Sequence, residues 1–465
     1  MKSHKVVTAC MCATVLVLLT ATLCGQQDPG PRGAPVGAGS PVAGLTSNEL
    51  RFFNDGAKRF ITPDTVSSGL GPSFNGDFCG TCHSQPAEGG SSPSATAYPN
   101  IGANPQVALA TAAGATNTVP SFINANGPVR EARFKYKLNA DGTPDTSRPD
   151  GGVHDLFTIA GRSDAPGCVY PQPNFAQALA TNNVIFRTPT PVFGAGLIET
   201  IDENTLINNA NANAAQKLAF GIVGTFNRSG NDGSITRFGW KAQNKSLLMF
   251  AGEAYNVEVG VTNELFPNER GNFTSPTIPA GCLLNTTPED TSNFLGRRAA
   301  ATNDTQVLSD ITAFADFMRF LDQPTPSCTG TACSASIQNG NAKFSAVGCA
   351  LCHTPSLTTG HSTFAPAALS GVQANLFSDL MLHNMGSGLA DGVSQGAANG
   401  NQFRTAPLWG IGQRTYFLHD GRTADLLQAI QQHQSTGSEA NQSIVQFNAL
   451  SPSDQQDILN FLRSL

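Results

Sequence analysis

The chain has 465 residues, 40% of them apolar, which is length enough for two or three domains with a substantial core. Charged residues make up only 13%, about half the usual share, which argues against a coiled coil or a charge-rich disordered chain. The net charge of −6 argues against nucleic acid as a partner, and 47 glycines with 29 prolines predict long connecting segments.

Residues 1–24 have the layout of an export signal, with Lys2 and Lys5 before an uncharged, mostly apolar run from Val6 to Leu23. The expected location is therefore the periplasm or another exported compartment. Two alternatives stand beside cleavage. The run approaches spanning length and would serve as a membrane anchor. Lipid attachment at Cys24 would use the Gly-, Pro- and Gln-rich stretch after it as a tether, although Leu23 stands where such signals usually carry a small residue. A membrane partner is expected only if the N-terminus is anchored in one of these ways.

Eleven cysteines are present. Cys10 and Cys12 leave with the signal and Cys24 is ambiguous, so eight remain. Four of these form two identical patterns, Cys79-Gly80-Thr81-Cys82-His83 and Cys349-Ala350-Leu351-Cys352-His353. The C-x-x-C-H spacing is the attachment signature of c-type haem. Two thiols three positions apart on a tight turn each form a thioether with a haem vinyl group, and the adjacent histidine reaches the iron. A zinc site would need its second cysteine pair nearby, and a dithiol redox site gives no reason for a histidine at the same place twice. The expected cofactors are two covalently bound haem c groups; a calcium ion leaves no mark readable in the sequence. Of the last four cysteines, Cys328 and Cys333 would close a small loop and Cys168 would then pair with Cys282, one of three possible connectivities.

The expected architecture is mainly α: two cytochrome c-like haem domains, the first with a long loop-rich insertion. The segment 25–44 reads as a flexible linker, residues 45–326 as the first haem domain and 335–465 as the second. Thr46-Ser47-Asn48-Glu49 is a capping box opening a helix to about Phe60, with Leu50, Phe53, Ala57 and Phe60 on one face. Ser309–Leu321 carries Ile311, Phe314, Phe317 and Met318 at helical spacing and stops before Pro324. A last helix opens at Ser451-Pro452 and places Ile458, Phe461, Leu462 and Leu465 on one stripe. Between Pro86 and Ser309 the composition predicts loops, short helices and a small hairpin that elaborate the first domain.

Several segments resemble the di-haem oxidoreductase family of peroxidase-like proteins. They are Gly69-Leu70-Gly71-Pro72-Ser73-Phe74-Asn75, Pro191-Val192-Phe193-Gly194-Ala195-Gly196-Leu197-Ile198-Glu199 and Arg237-Phe238-Gly239-Trp240-Lys241-Ala242, followed by Ser378-Asp379-Leu380-Met381-Leu382-His383-Asn384-Met385-Gly386, Phe403-Arg404-Thr405-Ala406-Pro407-Leu408-Trp409-Gly410 and Phe417-Leu418-His419-Asp420-Gly421-Arg422. The resemblance runs from about residue 45 to the C-terminus. The C-terminal half is more distantly similar to bacterial di-haem cytochrome c peroxidases, in which one haem passes electrons and the other reacts with hydrogen peroxide. The resemblance implies a small redox protein or other electron donor and a small oxidant such as hydrogen peroxide as partners. Some members carry the label thiol oxidoreductase, which the haem motifs do not favour here.

Sixth ligands separate an electron-transfer haem from a reactive one. For the second haem, Leu426–His433 resembles the peroxidase stretch that ends in an axial methionine, which makes His433 the preferred ligand. Met385 is the rival, with His383 and His419 behind it. For the first haem no distal ligand is evident, and His154 beside Asp155 reads as an ordinary loop residue. An open first haem needs a general acid/base to move a proton between peroxide oxygens, and Glu199 and Glu253 are the candidates. The competing reading for each is a carboxylate paired with Arg187 or Arg237. Trp240 and Trp409 are candidates for a position between haems or for simple core packing, and Arg404 and Arg422 for contacts with haem propionates or simple surface pairing. The function expected is that of an exported di-haem oxidoreductase, peroxidase-like, passing electrons through the second haem to the first. The alternatives are a plain electron carrier with both irons six-coordinate and a protein-modifying enzyme.

Overall fold

Thr46 closes the predicted capping box. Its side chain accepts from the Glu49 N–H, and the Glu49 carboxylate accepts from the Thr46 N–H at 2.7 Å, so the helix Ser47–Phe60 starts where the sequence says. The computed structural model describes residues 25–33, 36–92, 104–272, 276–292, 304–361 and 365–465; the predicted export signal and Cys24 lie outside them. Phe53, Gly56 and Phe60 are buried, whereas Leu50, expected on the same face, is 39% exposed because it lies at the edge of the apolar stripe.

This helix packs against Asp310–Phe320, and a second pair, Ala335–Ala346 on Pro452–Ser464, repeats the arrangement. Both crossings depend on a glycine. A Cβ on Gly56 would stand 2.4 Å from the Ala313 carbonyl oxygen, and one on Gly340 would stand 1.9 Å from that of Asp457. Four residues after each glycine comes a buried phenylalanine, Phe60 or Phe344, whose ring lies 6.1 Å from His83 or 6.3 Å from His353. The pattern Gly-x-x-x-Phe thus lets two helices touch and turns an aromatic ring toward the histidine of each motif.

About 35% of the described residues are helical and 12% lie in strands or bridges, so the expected mainly α fold carries more sheet than anticipated. The sheet belongs chiefly to the insertion. Glu131–Phe134 is the middle strand between Val153–His154 and Val184–Arg187, all antiparallel, with Glu131 opposite Arg187. Tyr136–Leu138 and Pro144–Pro149 form the small hairpin. Later, Leu382–Asn384 pairs with Gln402–Arg404 and sets His383 opposite Phe403. Phe134, Phe157, Leu197 and Phe238 of the insertion share one apolar cluster with Phe53 and Phe317, and Leu369, Leu376 and Trp409 from the region expected as the second domain join it. A separate cluster around Phe344, Phe447, Leu459 and Leu462 serves the C-terminal part. Disulfides join Cys168 to Cys282 and Cys328 to Cys333.

The segment expected as a flexible linker is instead an extended strap with fixed contacts. Asp28 makes a two-pronged ion pair with buried Arg463 at 2.6 and 2.7 Å and accepts from the Leu426 N–H at 2.7 Å. Farther along, Arg32 N–H donates to Gly412 O, Thr325 N–H to Gly37 O and Val42 N–H to Phe320 O. Paired backbone groups, absent from any compositional count, hold the strap down. Among the described residues no helix is long and apolar enough to cross a membrane.

Candidate functional site: two cysteine and histidine cavities

The two C-x-x-C-H motifs fold alike. Each begins with a one-turn 3₁₀ helix, Cys79–Thr81 or Cys349–Leu351, in which the first cysteine's carbonyl accepts from the N–H of the second cysteine and of the histidine. The turn brings both sulfurs and the imidazole to one wall of a cavity. His83 Nδ1 meets Gly90 O at 2.9 Å and His353 Nδ1 meets Phe377 O at 3.0 Å, a pairing that assigns the proton to Nδ1 and leaves Nε2 as a lone-pair donor. Burial pushes both histidines down to about 4, so they are neutral and able to bind a metal. The four cysteines form no disulfide, and burial pushes the Cys79 and Cys349 thiols up to about 12. A dithiol redox pair needs the opposite shift.

The first cavity contains about 1160 Å³ of space, its open mouth included, behind Cys79, Cys82 and His83. Its apolar lining, with Phe78, Val129, Phe250, Phe314 and Met318, suits a macrocycle, and its polar groups are unusual. Buried Nε atoms of Arg130 and Arg187 and the Oε1 of Gln243 have no partner. Two guanidinium donors without acceptors fit the propionates of a haem. The same cavity is lined by Glu131, Glu253 and Glu258. Glu258 sits on a π-turn, Tyr255–Val259, that continues the helix Leu247–Ala254. It hydrogen-bonds the Glu131 carboxyl, and burial with the nearby Glu131 charge raises Glu258 well above the usual range. Against the cost of its own burial, Glu131 is held below the usual range chiefly by Arg133, whose Nε lies 2.6 Å away. The pair therefore shares one proton, and Glu258 carries it.

The second cavity, about 1300 Å³ with its mouth, lies behind Cys349, Cys352 and His353. It is lined also by His433, Met385, His383 and His419. His433 follows the helix Leu426–Gln431, and its Nδ1 is fixed 2.8 Å from Ala429 O, so it has the same Nε2-free form as the two motif histidines. His383 has both nitrogens engaged, one 3.0 Å from Asp379 and the other 2.7 Å from Glu439. That occupancy removes it as a ligand. His419 stacks on Phe403, with ring centroids 4.4 Å apart. Arg404 and Arg414 line this cavity without a carboxylate partner among the described residues, and burial brings both down to about 10. Two uncompensated cations again suit two propionates.

Trp240 lines both cavities, its indole N–H donating to Thr188 O at 2.8 Å. Trp409 lines neither and sits against Gly194 beside a surface groove. Glu199 proves structural: it accepts from the Leu247 N–H at 2.8 Å and from Arg319 Nε at 2.9 Å, away from both cavities. Its partner is Arg319, not Arg187 or Arg237, because the helix Asp310–Phe320 crosses beneath it. Glu253 reaches the first cavity but its carboxylate is taken by Asn244. Arg422 pairs with Asp420 on the surface, and His154 bonds Asp150 and stacks on Phe134. The one cluster of three metal-ligating side chains among the described residues is Cys352, Asp379 and His383, whose sulfur and nitrogen are not the oxygen set calcium takes. Glu131, Glu258 and Arg414 escaped the sequence reading, which named Arg187 only as a partner for Glu199 or Glu253. A glutamate two residues before a glycine in an apolar stretch, Glu258-Val259-Gly260, was the available signal for one of them.

The model of the family described as "Di-haem oxidoreductase, putative peroxidase" matches residues 145–465. The match begins after the first motif, not at about residue 45. No curated protein matches the chain. Among solved structures, hydrazine synthase of Kuenenia stuttgartiensis shares 12% identity over 98% of this chain and 100% of its own, with a TM-score of 0.33. A MauG-like protein associated with microbial copper homeostasis shares 15% identity over 57% of this chain and 89% of its own, with a TM-score of 0.28. Likenesses that faint add nothing to the argument, whereas the family match spans well over half of the sequence and falls on a chain with two cavities walled by C-x-x-C-H motifs: this protein belongs to the di-haem oxidoreductase family and its chemistry is di-haem redox chemistry.

Proposed function

We propose that the protein is an exported di-haem peroxidase with two cytochrome c-like units, each holding one haem c through the cysteines of its motif. Hydrogen peroxide is the oxidant and a small redox protein the electron donor. The observation that carries this reading is the difference between the two cavities. The second brings two Nε2-presenting histidines, His353 and His433, to one space, as an electron-transfer centre with six ligands requires. Among the described residues the first has His83 as its one histidine, and a protonated carboxyl on its wall.

A bound haem supplies an iron that exchanges electrons and takes an oxygen ligand. Everything else falls to the chain. Reducing hydrogen peroxide to two waters breaks the O–O bond and consumes two electrons from the donor and two protons. Glu258 holds one proton at its carboxyl and passes it to the departing oxygen, while Glu131, kept ionised by Arg133, restrains the pair to a single proton. Gln243 Oε1 offers a buried acceptor for a peroxide O–H. Arg130 and Arg187 hold carboxylates, and Trp240 forms the shared wall through which electrons cross.

Optical and electron paramagnetic resonance spectra of the oxidised and half-reduced protein test this reading. A high-spin signal that responds to peroxide is expected beside a low-spin one. Two low-spin haems at every redox level, indifferent to peroxide, would leave a plain electron carrier.

A further inference from the structure

Between the cavities runs a chain of buried charges of which the proposed peroxide chemistry uses only the first, the Nε of Arg187. Arg187, on the wall of the first cavity, donates through Nη2 to Asp391 at 2.6 Å and through Nη1 to Gln395 at 2.5 Å. The other Asp391 oxygen lies 3.2 Å from Lys241 Nζ. Lys241 is 0% exposed, donates to Asn399 O and Gln402 O at 2.9 and 2.8 Å, and holds its ammonium 4.0 Å from the centroid of the Phe403 ring. That ring lines the second cavity. Two cations share one carboxylate, so among the protein's own groups the triad carries one excess positive charge, and Lys241 is the cation with no other anionic partner assigned to it. The nearest further pair, Arg133 with Glu131, is internally neutral. A buried net charge is costly unless it serves something, and inside protein its field reaches both cavities.

Resting on the di-haem reading above, we propose that the Arg187–Asp391–Lys241 triad is a built-in positive charge that raises the reduction potential of both haems, with Lys241 as the tuning residue. Reduction adds one electron, hence one negative charge, to either site, and a nearby fixed cation favours that state. Asp391, Arg187 and Arg133 are the charged groups that act on the ammonium, and His419 on the far side of Phe403 is neutral, pushed down to about 4 by burial. Burial, aided by the two arginines and opposed by Asp391, brings Lys241 down to about 8, so the excess charge is lost in mildly alkaline solution.

Spectropotentiometric titration of the holoprotein tests the proposal, with the haem content of each sample counted from its pyridine haemochrome. Lys241→Met should shift the midpoint potentials of both haems downward, and Lys241→Arg should restore them. Asp391→Asn, which leaves a larger positive charge, should shift them upward. Potentials of the unsubstituted protein should fall as pH rises through about 8, and those of Lys241→Met should not. A merely structural lysine would give no opposite-signed shifts, so unchanged potentials, or a fall in both variants, overturns the proposal. If Lys241→Met fails to retain haem, Asp391→Asn and the pH titration decide in its place. A haem count other than two per chain refutes the di-haem reading itself, independently of any shift.

Discussion

Replacing Glu258 by glutamine is the sharpest probe of the first cavity. Glutamine has nearly the shape of a protonated glutamate and still offers a donor toward Glu131, so the hydrogen bond between the two side chains survives. Folding stability near neutral pH should therefore change by no more than about 1 kcal/mol. The transferable proton, however, disappears. A positioned general acid or base contributes typically 10²- to 10⁴-fold, which corresponds to about 2.7–5.5 kcal/mol of barrier. Stopped-flow consumption of hydrogen peroxide with a reduced donor should show a loss of that size, while the haem spectra stay as in the parent. The substitution has a second signature. Glu258 titrates higher in the folded chain than in the unfolded one, so the folded state binds its proton more tightly. The resulting stabilisation is complete below the ordinary glutamate range and is lost as pH rises through the raised value. Thermal unfolding of the parent should thus weaken on the alkaline side, and the glutamine variant should lack this component. A variant that turns over peroxide at the parental rate, with an unchanged pH profile of unfolding, would refute both the acid role and the shared proton.

His433→Ala should alter the low-spin spectrum of one haem and leave the other untouched; an unaffected spectrum transfers the sixth ligand to Met385. Cys168→Ser with Cys282→Ser opens a loop between residues 114 apart and should cost about 4.8 kcal/mol on chain-entropy grounds, against about 2 kcal/mol for the Cys328 and Cys333 pair, whose separation is 5, as read from denaturant midpoints. Equal losses would contradict that account. Gly56→Val should lower the melting temperature through about 1–3 kcal/mol of overpacking, because its side chain meets Ala313 O and Phe317; an unchanged midpoint would mean that the two helices part freely.

Features written in contiguous residues were legible. Thr46 and Glu49 announce a helix start through their own backbone bonds, and the C-x-x-C-H motifs declare a turn whose geometry needs no distant partner. The pairing of Glu131 with Glu258 was not legible, because their proximity depends on a strand and a π-turn that meet only in the folded chain. Glu199 was singled out and Glu258 was not, although both lie among apolar neighbours; what separates them is the crossing helix that brings Arg319 to one and leaves the other facing a cavity. Lys241 read as part of a family motif, and nothing local shows that its ammonium is enclosed. The Gly-x-x-x-Phe repeat of Gly56 to Phe60 and Gly340 to Phe344 was readable in principle, but a glycine inside a helix ordinarily signals weakness and not contact. The strap was misread for a similar reason. A Gly- and Pro-rich composition describes how a free chain behaves, and backbone bonds to a distant surface override it.

That strap has a consequence for how the protein is assembled. Its Asp28 contacts lie at Leu426 and Arg463, so this segment finds its seat only after partners 398 and 435 residues further along have been made. The carboxylate of Asp28 sits at the start of the short helix that leads to His433, and Arg463 also donates to the carbonyl of Arg414 on the second cavity's wall. This segment therefore acts as a latch across two distant stretches of the chain, and what it secures is the mounting of His433.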